Sequence, residues 1–252
     1  MTEHGFEKTS EEFDGNPVFS RQLNNREKAM LLFIERDSIN TQSVVFPSPI
    51  KLLIFISRHK SESGKPTLSV HTPGNLGEAL MGGIPRTVSV SPASAMKEAL
   101  KAMKKAQEEM NLKYEVCYEC THHGPSLDVP TMFVELGSSP RQWKDSEAAE
   151  AVARGAMAAA STENSYPTVL GIGGPHYNMK FTRKVLSSEV AFGHIIPKYA
   201  VDKMDAEMLS QCVAKTVEPV KNAVLDWKGI KGAHKARLLE ILADIGLEFE
   251  KI

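Results

Sequence analysis

The chain has 252 residues, 42% of them hydrophobic and 24% charged, which suffices for one large domain or two small ones with a substantial core. A formal net charge of -1 excludes a uniformly basic coat for nucleic acid but leaves room for a local basic patch. No apolar run reaches the roughly 20 residues of a membrane span, the N-terminus is polar, unlike a signal peptide, and three cysteines are too few for a disulfide framework, so a cytoplasmic protein is expected.

Residues 1–25 are polar, with a turn signal at Asp14-Gly15-Asn16-Pro17 and no sustained period. They read as an N-terminal polar extension before a single domain over 26–252. Lys28 to Ile34 is an apolar run of strand length, and Asp37-Ser38 after it suits a helix N-cap. Lys51 to Ile56 reads as a buried strand ending in Ser57-Arg58-His59-Lys60. Ser61 to Pro66 looks like a phosphate loop, but His59 stands where glycine is required and Pro66 where Ser or Thr is required. Thr67 to Thr72 is another short strand, followed by Pro73-Gly74-Asn75, a glycine-rich loop to Pro85, and Thr87 to Ser91. Ser91-Pro92 opens the clearest helix, with a serine cap and proline at its first position. Met96, Leu100, Met103 and Met110 form its apolar stripe; Lys97, Lys101, Lys104 and Lys105 read as its solvated face.

Leu112 to Thr121 alternates like a strand and stops at His122-His123-Gly124-Pro125. Thr131 to Leu136, which contains Glu135, is the next strand. Asp145 or Ser146 caps an alanine-rich helix through Ala160, whose small side chains predict close backbone approach to a neighbour. Thr168 to His176 is a strand and glycine turn, Asn178 to Ser187 resumes helically, and Val190 to Ile196 is apolar with His194 inside it. Helical segments near Asp205 to Ala214 and Ile230 to Ile245 are the last expected elements, the second stopping at Gly246. Strands alternating with helices predict a three-layer α/β/α sandwich.

Of eight histidines, His4 falls in the N-terminal arm and His234 in an ordinary helix. The other six are His59, His71, His122, His123, His176 and His194, and five of them lie at strand exits or Gly/Pro turns, where ligand and catalytic groups collect. Imidazole and carboxylate suit Zn²⁺, although no HExxH is present. Adjacent His122 and His123 would point to opposite faces of a regular strand, so at most one is a simple ligand unless the turn re-aims them. Cys117 and Cys120 form a C-x-x-C, but a strand period of two separates them and no second pair exists, which argues against structural zinc or redox chemistry. Gly171-Ile-Gly-Gly-Pro-His176 lacks the third glycine of a dinucleotide fingerprint. Its strand, turn and helix start still expose backbone N–H groups to an anion, and Lys180, Arg183 and Lys184 follow.

Ser57-Arg-His59, Ser69-Val-His-Thr-Pro-Gly-Asn75, Thr121-His-His-Gly-Pro125, Phe133-Val-Glu-Leu-Gly-Ser138, Gly173-Gly-Pro-His-Tyr177 and Gly193-His-Ile195 occur in that order. In these blocks the chain resembles the archaeal and plant type of D-aminoacyl-tRNA deacylase, from about Glu27 to its C-terminus. The arm before Glu27 reads as an extension beyond the usual start of that family, and Cys120 stands where a small residue such as alanine is expected. The resemblance implies a phosphorylase/hydrolase-like fold with a mixed sheet, related to peptidyl-tRNA hydrolases. It further implies a monomeric, zinc-dependent hydrolase with one or two ions per chain. The substrate would be the ester between a D-amino acid and the 3′-terminal ribose of tRNA. On this reading His71, His122, His123, Glu135, His176 and His194 are the metal-ligand candidates, and His59, His122, His123 and Glu135 the catalytic ones. Gly173 and Gly174 would stabilise an oxyanion, and Arg58, Lys60, Lys180, Arg183 and Lys184 would hold phosphates of the acceptor end. Which histidine ligates and which acts as base stays open. The alternatives are a metallo-aminopeptidase or nucleoside phosphorylase-like enzyme acting on small molecules, and a non-catalytic tRNA-binding module, which has no need of six such histidines and Glu135.

Overall fold

The computed structural model describes residues 4–24, 27–43, 45, 49–62 and 64–252. Strands β1 (Glu7–Phe13), β2 (Asn16–Gln22) and β3 (Lys28–Leu31) form an antiparallel sheet in that order. The polar arm expected from the sequence is therefore a hairpin. Its two-residue loop, Asp14-Gly15, has φ of 50° and 74°, the left-handed pair that a tight hairpin turn requires. β1 shows no apolar alternation because it is a mostly exposed edge strand, held by backbone pairing more than by burial. Arg21 donates to the His4 carbonyl at 2.7 Å, and His4 Nε2 lies 2.9 Å from Glu150, which anchors the hairpin to the main body.

Next come β4 (Leu53–Arg58), β5 (Thr67–His71), the short pair β6 (Gly74–Asn75) and β7 (Thr87–Val88), and helix α1 (Ala93–Glu109). They are followed by β8 (Glu115–Tyr118), β9 (Thr131–Gly137), α2 (Ser146–Ser161), β10 (Thr168–Ile172), α3 (Met179–Leu186) and β11 (Ala191–Ile196). Then α4 (Ala206–Ala214), β12 (Val220–Leu225), α5 (Gly232–Asp244) and β13 (Glu248–Lys251) complete the chain. One sheet has the order β4-β9-β5-β8 and is mixed, β5 running antiparallel to β9; the other, β11-β10-β12-β13, is wholly parallel. They adjoin where Thr121 N donates to the Ile195 carbonyl at 2.8 Å and Ile195 N donates to the Thr121 hydroxyl at 3.2 Å.

Strand alternation divides the mixed sheet into two unlike faces. Leu68, Val70, Val116, Tyr118, Met132, Val134 and Leu136 pack with Met96, Leu100 and Met103 of α1 and Ala151 and Val152 of α2 in one core. In the parallel sheet, Val169 and Val224 join that core, while Leu170, Ile172, Ala223 and Leu225 pack with Leu209 of α4 and Leu238 and Leu242 of α5. The parallel sheet is thus the middle of three layers. Among the described residues, none of β4, β5, β8 or β9 belongs to the α4–α5 core. The second face of the mixed sheet is left without helical cover, and it carries Ser57, Ser69, His71, Cys117, Phe133 and Glu135.

Alanine-rich α2 does approach α1 closely: a Cβ on Gly155 would sit 2.7 Å from Met103 Cγ and 3.3 Å from the Ala99 carbonyl. The start of α1 differs from the serine cap expected. Ser91 Oγ accepts from Thr72, and the carboxylate of distant Glu218 takes Ala93 N (3.1 Å) and Ser94 N (2.8 Å), a charged acceptor being favoured at a helix N-terminus. Lys97 is buried, not solvated, and donates to the Ser188 and Val190 carbonyls at 2.5 and 3.1 Å. No helix among the described residues is long and apolar enough to cross a membrane.

Candidate active site

Two carboxylates sit on the uncovered sheet face. Glu135 of β9 is in register with Ser57 of β4 and Ser69 of β5. The Ser57 hydroxyl donates to Glu135 Oε1, and His59 Nδ1 lies 3.2 Å from Oε2. Glu119, one residue beyond β8, accepts from Ser69 Oγ at 2.5 Å and His176 Nε2 at 2.7 Å, with His59 Nδ1 at 3.6 Å and His122 Nε2 at 3.7 Å. At 4% and 3% exposed, neither acid has water to solvate its charge; serine hydroxyls and imidazoles replace it. Burial pushes both acids up, but the adjoining imidazoles outweigh it: His59 and His71 hold Glu135 well below the carboxylate range, and His176 chiefly lowers Glu119.

Against these acids stand the imidazoles. His123 has φ of 43°, a left-handed conformation that breaks strand alternation, so the rings of His122 and His123 lie 4.2 Å apart instead of on opposite faces. His122 Nδ1 is 2.8 Å from the Cys120 carbonyl and His123 Nδ1 is 2.7 Å from the Gly124 carbonyl. A carbonyl only accepts, so each Nδ1 carries the proton and each Nε2 keeps its lone pair. His71, at the end of β5, stacks on Phe133 with centroids 4.9 Å apart, and its ring is 4.3 Å from His122 and 4.8 Å from His123. Both its nitrogens are buried without a hydrogen-bond partner among the described residues. Burial and the neighbouring rings push His122 well down, and they lower His123 to about 4, so both are neutral near pH 7.

His59 and His176 take the opposite character. Burial disfavours the His59 cation, but Glu135 and Glu119 outweigh it and raise its pKa. Burial is likewise outweighed at His176 by Cys120 and Glu119, which bring it up to about 10. Tyr177 OH is 3.0 Å from His59 Nε2, and Trp143 Nε1 donates to the His59 carbonyl at 2.9 Å. Gly137 is required beside that ring, since a Cβ there would lie 2.2 Å from His59 Nε2. His176 stands at the mouth, its side chain 33% exposed, with Nδ1 3.1 Å from Tyr199 OH and 3.3 Å from Cys120 Sγ.

The ligand atoms of His71, His122 and His123 lie within 4.8 Å of one another, as do those of His59, Glu119 and Glu135, and of Cys120, His122 and His176. The histidine triad fits a metal best: a buried ring with both nitrogens unmatched faces two neutral rings whose free Nε2 is fixed by backbone hydrogen bonds on the other nitrogen. His194 belongs to none of these groups. Its Nδ1 lies 3.1 Å from Thr121 Oγ1 and its Nε2 3.0 Å from the Lys215 carbonyl, so both nitrogens are spent. Gly173 N is likewise spent on the Ile196 carbonyl at 2.8 Å, and a Cβ on Gly174 would lie 2.6 Å from Asn178 Nδ2, so the turn is packed instead of presenting an open cradle. Lys180 pairs with Asp226 and Lys184 with Glu250, each at 2.5 Å. Arg58 lies over Trp143 at 4.8 Å, while Lys60 and Arg183 are exposed. Glu119, Ser57, Ser69, Tyr177 and Tyr199 were not singled out from the sequence, although Ser57, Ser69 and Glu119 share the odd parity of His71 and Glu135.

A family model described as D-aminoacyl-tRNA deacylase matches residues 46–250. The D-aminoacyl-tRNA deacylase of Pyrococcus furiosus is 36% identical, covering 98% of this chain and 91% of its own length. That of Thermococcus kodakarensis is 38% identical over 97% of this chain and 90% of its own, and that of Methanosarcina mazei 36% identical over 87% and 73%. The crystal structure of the conserved protein of unknown function AF0625 superposes with a TM-score of 0.83 at 28% identity, covering 98% of this chain and 86% of that one. Coverage of 98% takes the N-terminal hairpin into the alignment with the Pyrococcus furiosus relative, while the family model begins after it, at residue 46. With nearly the whole chain aligned at this identity, the chain belongs to the D-aminoacyl-tRNA deacylase family.

Proposed function

We propose that the protein hydrolyses the ester joining a D-amino acid to the 3′-terminal ribose of tRNA, releasing the free amino acid and the tRNA. One observation carries the site assignment: the buried ring of His71, neither nitrogen hydrogen-bonded and Nε2 3.6 Å from Glu135, beside two neutral imidazoles whose Nε2 lone pairs are unclaimed, next to a pair of ionised carboxylates. His71, His122 and His123 would hold a zinc ion. Such an ion supplies Lewis acidity and lowers the pKa of water to near 7.

The remaining residues divide the proton work. Glu135, kept ionised by His59, takes the proton of the attacking water; the Ser57 hydroxyl fixes its other oxygen. Tyr177 and Trp143 hold His59 in place for that task. Cys120 and Glu119 hold His176 in the cationic form at the mouth, where it steadies charge on the carbonyl oxygen and returns a proton to the leaving ribose oxygen. Because Gly173 N–H is committed, this cation takes the oxyanion role expected of the glycine turn. On this reading the protein acts as a monomer on the acceptor end of the tRNA in the cytoplasm.

The test is incubation of the purified protein with D-tyrosyl-tRNA and L-tyrosyl-tRNA, with chelator and after zinc is restored. Release of the D form alone, lost on chelation and recovered with zinc, is the expected result. Equal release of both forms overturns the stereochemical assignment; full turnover in chelator overturns the metal.

A further inference from the structure

The parallel sheet ends in a row beside the site. In the order β11-β10-β12-β13, the carboxyl ends lead into Lys198–Tyr199, Gly173–His176, Asp226–Lys228 and Lys251–Ile252. Tyr199 OH touches His176 Nδ1, so the row starts at the mouth of the site. Asp226 continues it: a Cβ on Gly174 would lie 3.3 Å from Asp226 Oδ2, and Trp227 N donates to the Ile252 carbonyl at 3.3 Å. The end of β13 lies about 10 Å from that of β10, two strand spacings away.

This edge is basic in a specific way. Lys228, Lys231, Lys235 and Arg237 fall within residues 226–237 against one acid, Asp226, which is already neutralised by Lys180. The Trp227 ring carries two ammonium groups, Lys251 Nζ at 3.9 Å and Lys235 Nζ at 4.5 Å from its centroid. Among the described residues, Lys228, Lys231, Lys235 and Lys251 form no ion pair, unlike Lys180 and Lys184. A carboxylate partner would cancel the charge it holds. An aromatic ring positions an ammonium and leaves its charge available to a second partner. For a chain of net charge -1, such a concentration of unneutralised cations beside one site is a local feature with a direction.

We propose that the Trp227 edge, comprising Lys228, Lys231, Lys235 and Lys251, is a landing surface for the phosphate backbone of the substrate RNA, orienting its 3′ end toward His176. This rests on the deacylase reading for the identity of the RNA. Lysine contacts of this kind are sequence-independent and salt-sensitive, as suits an enzyme that accepts many tRNAs.

The experiment is the Kd of uncharged tRNA across a salt series, for wild type, K228A/K231A/K235A, K251A, W227L and a control on the opposite layer, K101A/K104A/K105A. We expect the triple patch variant to bind at least tenfold more weakly at about 0.1 M salt, with the slope of log Kd against log salt reduced by roughly 2 to 3. K251A and W227L should each weaken binding by about threefold or more, and the α1 control should stay within about twofold. Patch variants that keep the wild-type Kd and slope, or a control that loses as much, overturn the proposal. Uncharged tRNA needs no hydrolysis to bind. A wild type that binds it through this edge but releases no D-amino acid therefore sinks the deacylase reading and spares the surface. Active enzyme whose patch variants bind normally does the reverse.

Discussion

Replacing His71 with leucine tests whether the imidazole triad exists to hold something. The ring is sealed, and neither nitrogen makes a hydrogen bond among the described residues, although Nε2 lies 3.6 Å from Glu135 Oε2. A buried polar group without a hydrogen bond costs about 1–3 kcal/mol, and an imidazole presents two such atoms. Leucine is of similar size and removes both, at the loss of ring stacking on Phe133, worth about 0.5–1.5 kcal/mol. The metal-free variant should therefore gain about 0.5–5 kcal/mol. For a chain of 252 residues the unfolding entropy is about 0.5 kcal/mol/K, so each kcal/mol moves Tm by about 2 °C. Calorimetry in chelator should show His71→Leu melting about 1–10 °C above wild type, with hydrolysis abolished. Zinc at about 100 times its Kd should raise wild type by about 2.7 kcal/mol, or about 5 °C, and the variant by much less. A variant that melts well below wild type in chelator would mean that the ring is an ordinary satisfied core residue, and the site assignment fails.

Glu119→Gln keeps an acceptor for Ser69 but removes the charge facing His176; kcat/KM on D-tyrosyl-tRNA should fall by about 10² to 10⁴, and an unchanged value would remove Glu119 from the proton pathway. His194→Gln should retain zinc at the wild-type stoichiometry while losing stability, because both ring nitrogens serve Thr121 and Lys215. The same variant carries a pH signature. Burial lowers His194 from 6.5 to about 4, so below pH 6.5 the unfolded chain binds a proton that the native ring refuses until about pH 4. Stability then drops by about 1.4 kcal/mol per pH unit across that window and not above it; urea unfolding of His194→Gln in chelator should lack this part of the slope. Glu218→Ala leaves the first two N–H groups of α1 without their carboxylate, and urea unfolding should register a loss of about 2–4 kcal/mol; a loss under about 0.5 kcal/mol would show water replacing it.

The sequence patterns located most elements, since apolar periodicity and turn residues are local signals. The hairpin of residues 7–22 escaped because β1 has no buried face to write a pattern. His71, His122, His123, Glu135 and His176 could be gathered in advance from their positions beside turns. Glu119 could not, because its partners Ser69 and His176 lie 50 and 57 residues away and are known only once β5 pairs with β8. His194 misled for the converse reason: a histidine inside an apolar strand looks functional until its two partners, the Thr121 hydroxyl and the Lys215 carbonyl, are seen. The collaboration of His122 with His123 turned on one φ angle, which no residue pattern states. Pairing likewise distinguished the cations: Lys180 and Lys184 stand out in sequence but are neutralised, while Lys235 and Lys251 gain their setting only from Trp227.

The division of β5, β8 and β9 into an oily side and a reactive side constrains how this protein can change over time. Single substitutions can tune either side alone, but gaining or losing one residue inside β9 would turn Val134 toward the reactive groups and Glu135 into the oil, wrecking both at once. Length variation should therefore be confined to the connecting segments, and libraries aimed at new ester substrates should randomise alternate positions while leaving strand length untouched.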